Sequence, residues 1–383
     1  MRRAAIIVLA LSVSAAPLTA QGGERFPRKW IMAGVGALVS GAIAGVYAVH
    51  FERDIGGCSA VKCVVGVTVG AGAFLGFLMG SEMDRLYGLR YAHAPPLSLR
   101  GVELRLNVVP NDLALGASTV FVTGEQAVEL IRAGPRLERL GMRARGLRGI
   151  GPITADSAAN TMFVGTGVGL YRFPLRGDAP GTLAYPGEIS AMSGYGEIAA
   201  IGLGPDFQLV RIADSIIPLG DPVPEMSRVV DLAWQGSELL WVLSEDRLAS
   251  YAVRSDGGVS ERGEFVLPSI GRRFAIADTV AVIAAGSGGI YLLDIRNPDE
   301  PTEISNWSGA RFAYDATIAG GLIYLAAGPE GLYVTRLEEG RIVPVGLARQ
   351  AGFVAAVEAD GPWVYLLDRT GAMLRRVPAG EVR

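Results

Sequence analysis

The sequence predicts an all-β fold: a seven-bladed β-propeller, preceded by a signal peptide and a glycine-rich α-helical hairpin. Three observations carry that reading. From residue 100 onward one strand–turn–strand pattern recurs seven times at a near-constant spacing. Before residue 82 stand two uncharged apolar runs with small residues every four positions. The first twenty residues have the basic, apolar and small-residue parts of a secretory leader. Composition agrees: among 383 residues, 35 Lys+Arg stand against 38 Asp+Glu and half are hydrophobic. That balance excludes intrinsic disorder and leaves no basic footprint, so nucleic acid is not an expected partner.

Met1-Arg2-Arg3, the apolar stretch from Ala4 to Ala16 and the segment Pro17 to Gln21 place the leader at residues 1–20, with Ala20 the last residue removed. Leu18, three positions before the cut, is a less usual residue there, and retention as an anchor is the alternative. A short segment, 21–29, follows. The hairpin spans 30–82, with apolar runs at 31–49 and 64–80 as its two candidate membrane crossings. Ala33, Ala37, Gly41 and Gly45 in the first run, and Gly72, Gly76 and Gly80 in the second, form smooth helical stripes that let two backbones approach closely. Seven Ile, Leu or Val in the first run favour insertion by roughly 3 kcal/mol, which the Gly and Ser residues erode. The alternative is a hairpin packed inside a soluble oligomer. These stripes resemble the glycine-zipper hairpins of bacterial envelope proteins, and the resemblance implies anchoring or homo-oligomerisation through the hairpin.

Whether or not the leader is cleaved, counting crossings puts the carboxy-terminal part outside the cytoplasm. Arg25, Arg28, Lys29, Arg85 and Arg90 flank the hairpin on that side, against Arg53 and Lys62 in its loop. This is the reverse of the bias expected at an inner membrane. Cys58 and Cys63, the chain's only cysteines, lie in the same loop. A disulfide between them needs an oxidising compartment, and two unpaired thiols are the alternative. The expected location is therefore the cell envelope, with outer membrane or periplasm favoured over inner membrane.

After a linker at 83–99 the propeller occupies 100–383. The central residues of the recurring apolar strand are Phe121, Phe163, Ala200, Trp241, Val282, Tyr324 and Tyr365, spaced 42, 37, 41, 41, 42 and 41. Seven copies of about 41 residues fill the region. The last copy supplies three strands, and the alternating stretch 102–108 is expected to add the fourth and close the ring. In the most regular copy, Leu292-Leu293-Asp294-Ile295 precedes Asn297-Pro298 and Pro301. This resembles the LVIVD-repeat family of bacterial propellers. Thr335-Arg336-Leu337 departs from the pattern, and no other copy keeps the Asn-Pro turn. The resemblance implies a fold and no single activity.

His50 and His93 both precede the repeats, so the propeller has neither His nor Cys. Ser-His and Cys-His nucleophiles and His-ligated zinc are thereby excluded from it, and no cofactor or metal is expected. Asp294, Asn297 and Asp299 read as caps of backbone amides in the Asn-Pro turn. The candidate binding residues are Arg228 with Asp231, Arg311 with Asp315, and Arg272 and Arg273, all at the start of innermost strands. Arginines there are expected to ring one mouth of the channel and receive an anionic ligand or an acidic loop of a protein partner. Pairing with Asp231 and Asp315 is the simpler alternative. The leading functional expectation is a non-catalytic envelope protein that binds through its propeller. The other is a hydrolase or lyase using channel carboxylates and arginines.

Overall fold

In the computed structural model the described residues are Leu75 and 94–380, apart from 117, 157–159 and 213–214. The signal peptide, all of the hairpin and its two candidate crossings except Leu75, and Cys58 and Cys63 lie outside that set. Among the described residues no helix is long and apolar enough to cross a membrane.

Among the described residues, twenty-eight strands form seven four-stranded antiparallel sheets, a seven-bladed β-propeller. In each of the first six blades the strands are consecutive in sequence and pair with their neighbours in order. The second strand of a blade explains the repeat. It is hydrogen-bonded on both edges and covered by neighbouring blades on both faces, so it reads as an unbroken apolar run. Phe121, Phe163, Ala200, Trp241, Val282, Tyr324 and Tyr365 all sit at the centre of such strands, each no more than 1% exposed. The core runs between blades: Trp241 and Leu243 of blade four pack with Phe274, Ile283 and Leu293 of blade five in one cluster.

The seventh blade combines both ends of the repeat region. Val102–Arg105 pairs with Met373–Pro378 outside Trp363–Asp368 and Val354–Asp360. The strand is four residues long, shorter than the alternating stretch 102–108, because the chain turns into the first blade after Leu106. Side chains fasten this seam. Arg376 of blade seven donates to the carbonyls of Gly134 and Pro135 in blade one and lies over the Trp363 ring at 4.3 Å. From blade one, Arg139 pairs with the fully buried Glu129 and donates to the Arg105 carbonyl. Closure leaves no blade with an unpartnered face.

Part of the stretch read as linker belongs to the propeller. Pro96 bridges Leu347 in parallel, the Leu97 and Leu347 N–H groups bond the Leu347 and Pro95 carbonyls, and Leu97 is buried. In the Asn-Pro turn of blade five, Asp294 accepts the Arg296 N–H and Asn297 that of Asp299. Asp299 also takes two hydrogen bonds from Arg262 of blade four, each 2.7 Å, which ties the two blades.

Candidate functional site: the channel and its upper mouth

Each blade begins with its innermost strand, and these seven strands face the central channel. An innermost strand has a sheet partner on one side only, so its channel-side N–H groups need other acceptors. Aspartates at the strand starts supply them. Asp231, in Val229–Trp234, accepts the N–H of Leu232 at 2.9 Å and that of Phe274, in the next blade, at 3.0 Å. Asp315, at the start of Asp315–Ala319, repeats the arrangement with Ala316 at 2.8 Å and Val357 at 2.9 Å. Each carboxylate thus links the innermost strands of two adjacent blades. Asp112 in blade one occupies the equivalent register and caps Leu113.

Arg273 takes the same register in blade five and does something different. Its guanidinium bonds Asp112 of blade one, across the channel, and comes within 3.8 Å of Asp231. Together with Asp315 and Glu358 these groups line a cavity of about 420 Å³. Four carboxyl groups, those of Asp112, Asp231, Asp315 and Glu358, thus share the cavity with the Arg273 guanidinium. Burial pushes three of them, Glu358, Asp315 and Asp231, toward their neutral forms. Glu358 rises to about 8, chiefly through burial and then through the nearby Asp315 charge, with Arg273 opposing. Asp315 rises to about 6 by burial, against Arg273 and its two N–H donors, and Asp231 is also raised well above the ordinary carboxylate range by burial. Glu358 differs from the aspartates in accepting no backbone hydrogen bond among the described residues. No group of three or more His, Cys, Asp or Glu among the described residues is placed to hold a metal ion.

Of the residues singled out by sequence, the structure brings Asp231, Arg273 and Asp315 together. Arg228, Arg272 and Arg311 do not line the cavity. They lie in the loops that carry the chain from one blade to the next, on the face called upper here. Arg228 pairs with Glu188 at 2.5 Å, Arg311 pairs with Glu330 at 3.3 Å, and Arg272 lies over the Phe312 ring at 5.6 Å. None of the three pairs with Asp231 or Asp315. Asp112 and Glu358 were missed. Asp112 stands nine residues before Phe121, as Asp315 does before Tyr324, so the spacing that marks Asp315 marks it too. Glu358 has no counterpart in other blades. The upper face also gathers exposed apolar side chains, Val109, Val168, Met226, Val266 and Ile270, in or beside its loops.

No protein-family model and no curated protein sequence matches the chain. Solved structures do, at the level of fold. The computationally designed Ika8 protein aligns with a TM-score of 0.53 at 12% identity, over 73% of this chain and 100% of its own. The WD40 β-propeller domain of Doa1 gives 0.55 at 15% identity, over 74% and 96%. A chain of the Mitotic Checkpoint Complex gives 0.59 at 11%, over 75% and 98%. Identities this low establish the propeller and nothing about activity.

Proposed function

We propose that the chain is an exported, non-catalytic cell-envelope protein. In this reading the propeller is a platform for a protein or ligand, held in place or assembled through the glycine-rich hairpin. The observation that carries the binding role is the upper face, where exposed apolar side chains and arginines share the loops of a rigid closed ring. The aspartates of the channel support it too, because their oxygens are engaged in holding blades together and in Arg273. Export, the envelope location and the hairpin's role rest on the leader, the small-residue stripes and the loop charges. Kinship with LVIVD-repeat propellers rests on Leu292 to Ile295 and the Asn297-Pro298 turn.

Fractionation of cells expressing the full chain tests the reading. Recovery with membranes, released by detergent and not by salt, is the expected result. Recovery of the whole protein in the soluble periplasm contradicts the anchor, and recovery in the cytoplasm contradicts export.

One observation favours a second reading, a hydrolase or lyase. Glu358 is uncommitted to the backbone, poised near neutrality and beside Arg273 in the same cavity, as a general acid or base would be. Turnover of any ester, glycoside or uronate substrate that is abolished by Glu358→Gln would establish it in place of the binding role.

A further inference from the structure

We propose that the upper face over blades five to seven docks an acidic protein segment carrying an aromatic side chain among its carboxylates. The proposal rests on the binding-platform reading and narrows it to one sector and one kind of partner.

Charge is segregated there. The upper-face loops of this sector, 267–272, 285–289, 308–314, 327–331, 349–353 and 369–372, contain four arginines, Arg272, Arg311, Arg349 and Arg369, against one acid, Glu330. Glu330 is engaged by Arg311 through both the side chain and the backbone N–H. Arg272, Arg349 and Arg369 are exposed and make no ion pair among the described residues. The lower-face turns of blades five and six have the opposite balance, with Asp278, Asp299, Glu300 and Glu339 against Arg296. Upper-face loops of the earlier blades mix Glu125, Glu188, Glu225, Glu245 and Asp246 with Arg145, Arg148 and Arg228. The basic excess therefore belongs to one sector and is not a property of the whole face.

An aromatic row runs between these arginines. The Phe312 and Tyr314 rings are 4.6 Å apart, and Tyr314 and Phe353 are 5.4 Å apart. All three are half-buried, so each offers part of its surface to a partner. Two glycines let the rings lie close to the turns beneath them. Gly286 and Gly328 have φ of +54° and +55°, and a Cβ on Gly328 would collide with the Tyr314 ring. Arg272 is stacked on Phe312 at one end of the row. At the other end, the Arg369 N–H bonds the Phe353 carbonyl at 2.8 Å, while the Phe353 N–H is held by Asp368 at 3.0 Å.

The chemistry of the occupant follows. Guanidinium groups with no carboxylate of their own present paired donors to a carboxylate, and stacking on Phe312 preorganises that of Arg272 at low entropic cost. A row of partly covered rings takes an apolar or aromatic side chain edge-on or offset. A segment alternating acid and aromatic residues satisfies both. A bare polyanion uses only the arginines, and a bilayer takes protruding apolar side chains more readily than rings lying flat in a row.

Fluorescence anisotropy on the full-length protein tests this, with a labelled twelve-residue peptide of alternating Glu and Phe as the probe. Peptides with Lys for Glu, or Ser for Phe, and phosphatidylglycerol vesicles are the comparisons. The expected result is salt-sensitive binding of the Glu/Phe peptide, at least tenfold tighter than the Ser variant, and no binding of the Lys form. The double variant Arg349→Ala/Arg369→Ala, confined to exposed side chains, should weaken it at least tenfold. Arg254→Ala on the lower face should leave it unchanged, and Arg349→Glu/Arg369→Glu should turn the preference toward the Lys peptide. Failure of the Glu/Phe peptide to bind, equal binding of the Ser form, or binding of vesicles alone overturns the proposal. Peptide binding that survives both double variants overturns the sector while leaving the platform reading in place.

Discussion

Glu358→Gln separates burial of charge from ordinary solvation in the channel. The carboxyl rises from 4.5 to about 8 in the folded protein, mainly because burial disfavours its charged form. Between those values the unfolded chain has lost the proton and the folded one still holds it. Stability contributed by protonation is therefore complete below pH 4.5 and is lost as pH rises through about 8. The shift sets a ceiling of about 5 kcal/mol at pH 9, and partial exposure to the cavity reduces the expected effect to about 1–3 kcal/mol. Glutamine keeps the shape and carries no charge at any pH. Urea unfolding at pH 5, 7 and 9 should then show near-equal stabilities at pH 5 and a growing advantage for the variant toward pH 9. Asp231 and Asp315, raised in the same direction, leave a residual slope in the variant. Identical pH dependence in the two proteins would refute the reasoning and mean that Glu358 is charged and well hydrated.

Asp315→Ala removes the acceptor for two N–H groups, those of Ala316 and Val357, and should cost about 2–4 kcal/mol in chemical denaturation; Asp315→Asn, which keeps one acceptor oxygen, should cost about half as much. Arg376→Met cuts both hydrogen bonds from blade seven to blade one and the contact with Trp363, lowering stability by about 1–3 kcal/mol, and amide exchange should rise first in Val102–Arg105 and Met373–Pro378. Trp241→Ala leaves a cavity where a fully buried side chain stood and removes the indole N–H that the Gln235 side-chain Oε1 accepts, a loss of about 3–5 kcal/mol read from the unfolding midpoint.

How much of this was legible in the sequence depends on what each position does. The second strand of every blade is enclosed on all sides, so its apolar triplet recurs and the period can be measured between Phe121 and Tyr365. The channel aspartates were partly legible because they repeat a structural task, capping two innermost strands at a fixed place in the blade. Arg273 was picked out with them, but its reach across the ring to Asp112 depends on which blades face one another, which spacing does not encode. Arg228 and Arg311 share a spacing of 13 residues before Trp241 and Tyr324. That regularity places them in equivalent loops and says nothing of the nearby Glu188 and Glu330 that draw them away from the channel. The row Phe312, Tyr314 and Phe353 was not legible either, because it joins residues of different blades that meet only once the ring closes. Residues 94–99 read as linker because a single buried leucine, Leu97, beside two prolines carries no strand pattern.

The measurement that bears most directly on the propeller as a binding platform is amide hydrogen exchange of the full chain with and without the Glu/Phe peptide at saturation. The account predicts protection in the upper-face loops 267–272, 308–314, 349–353 and 369–372, with the lower-face turns unchanged. Protection confined to the lower-face turns, or none at a concentration where anisotropy shows the peptide bound, would contradict it.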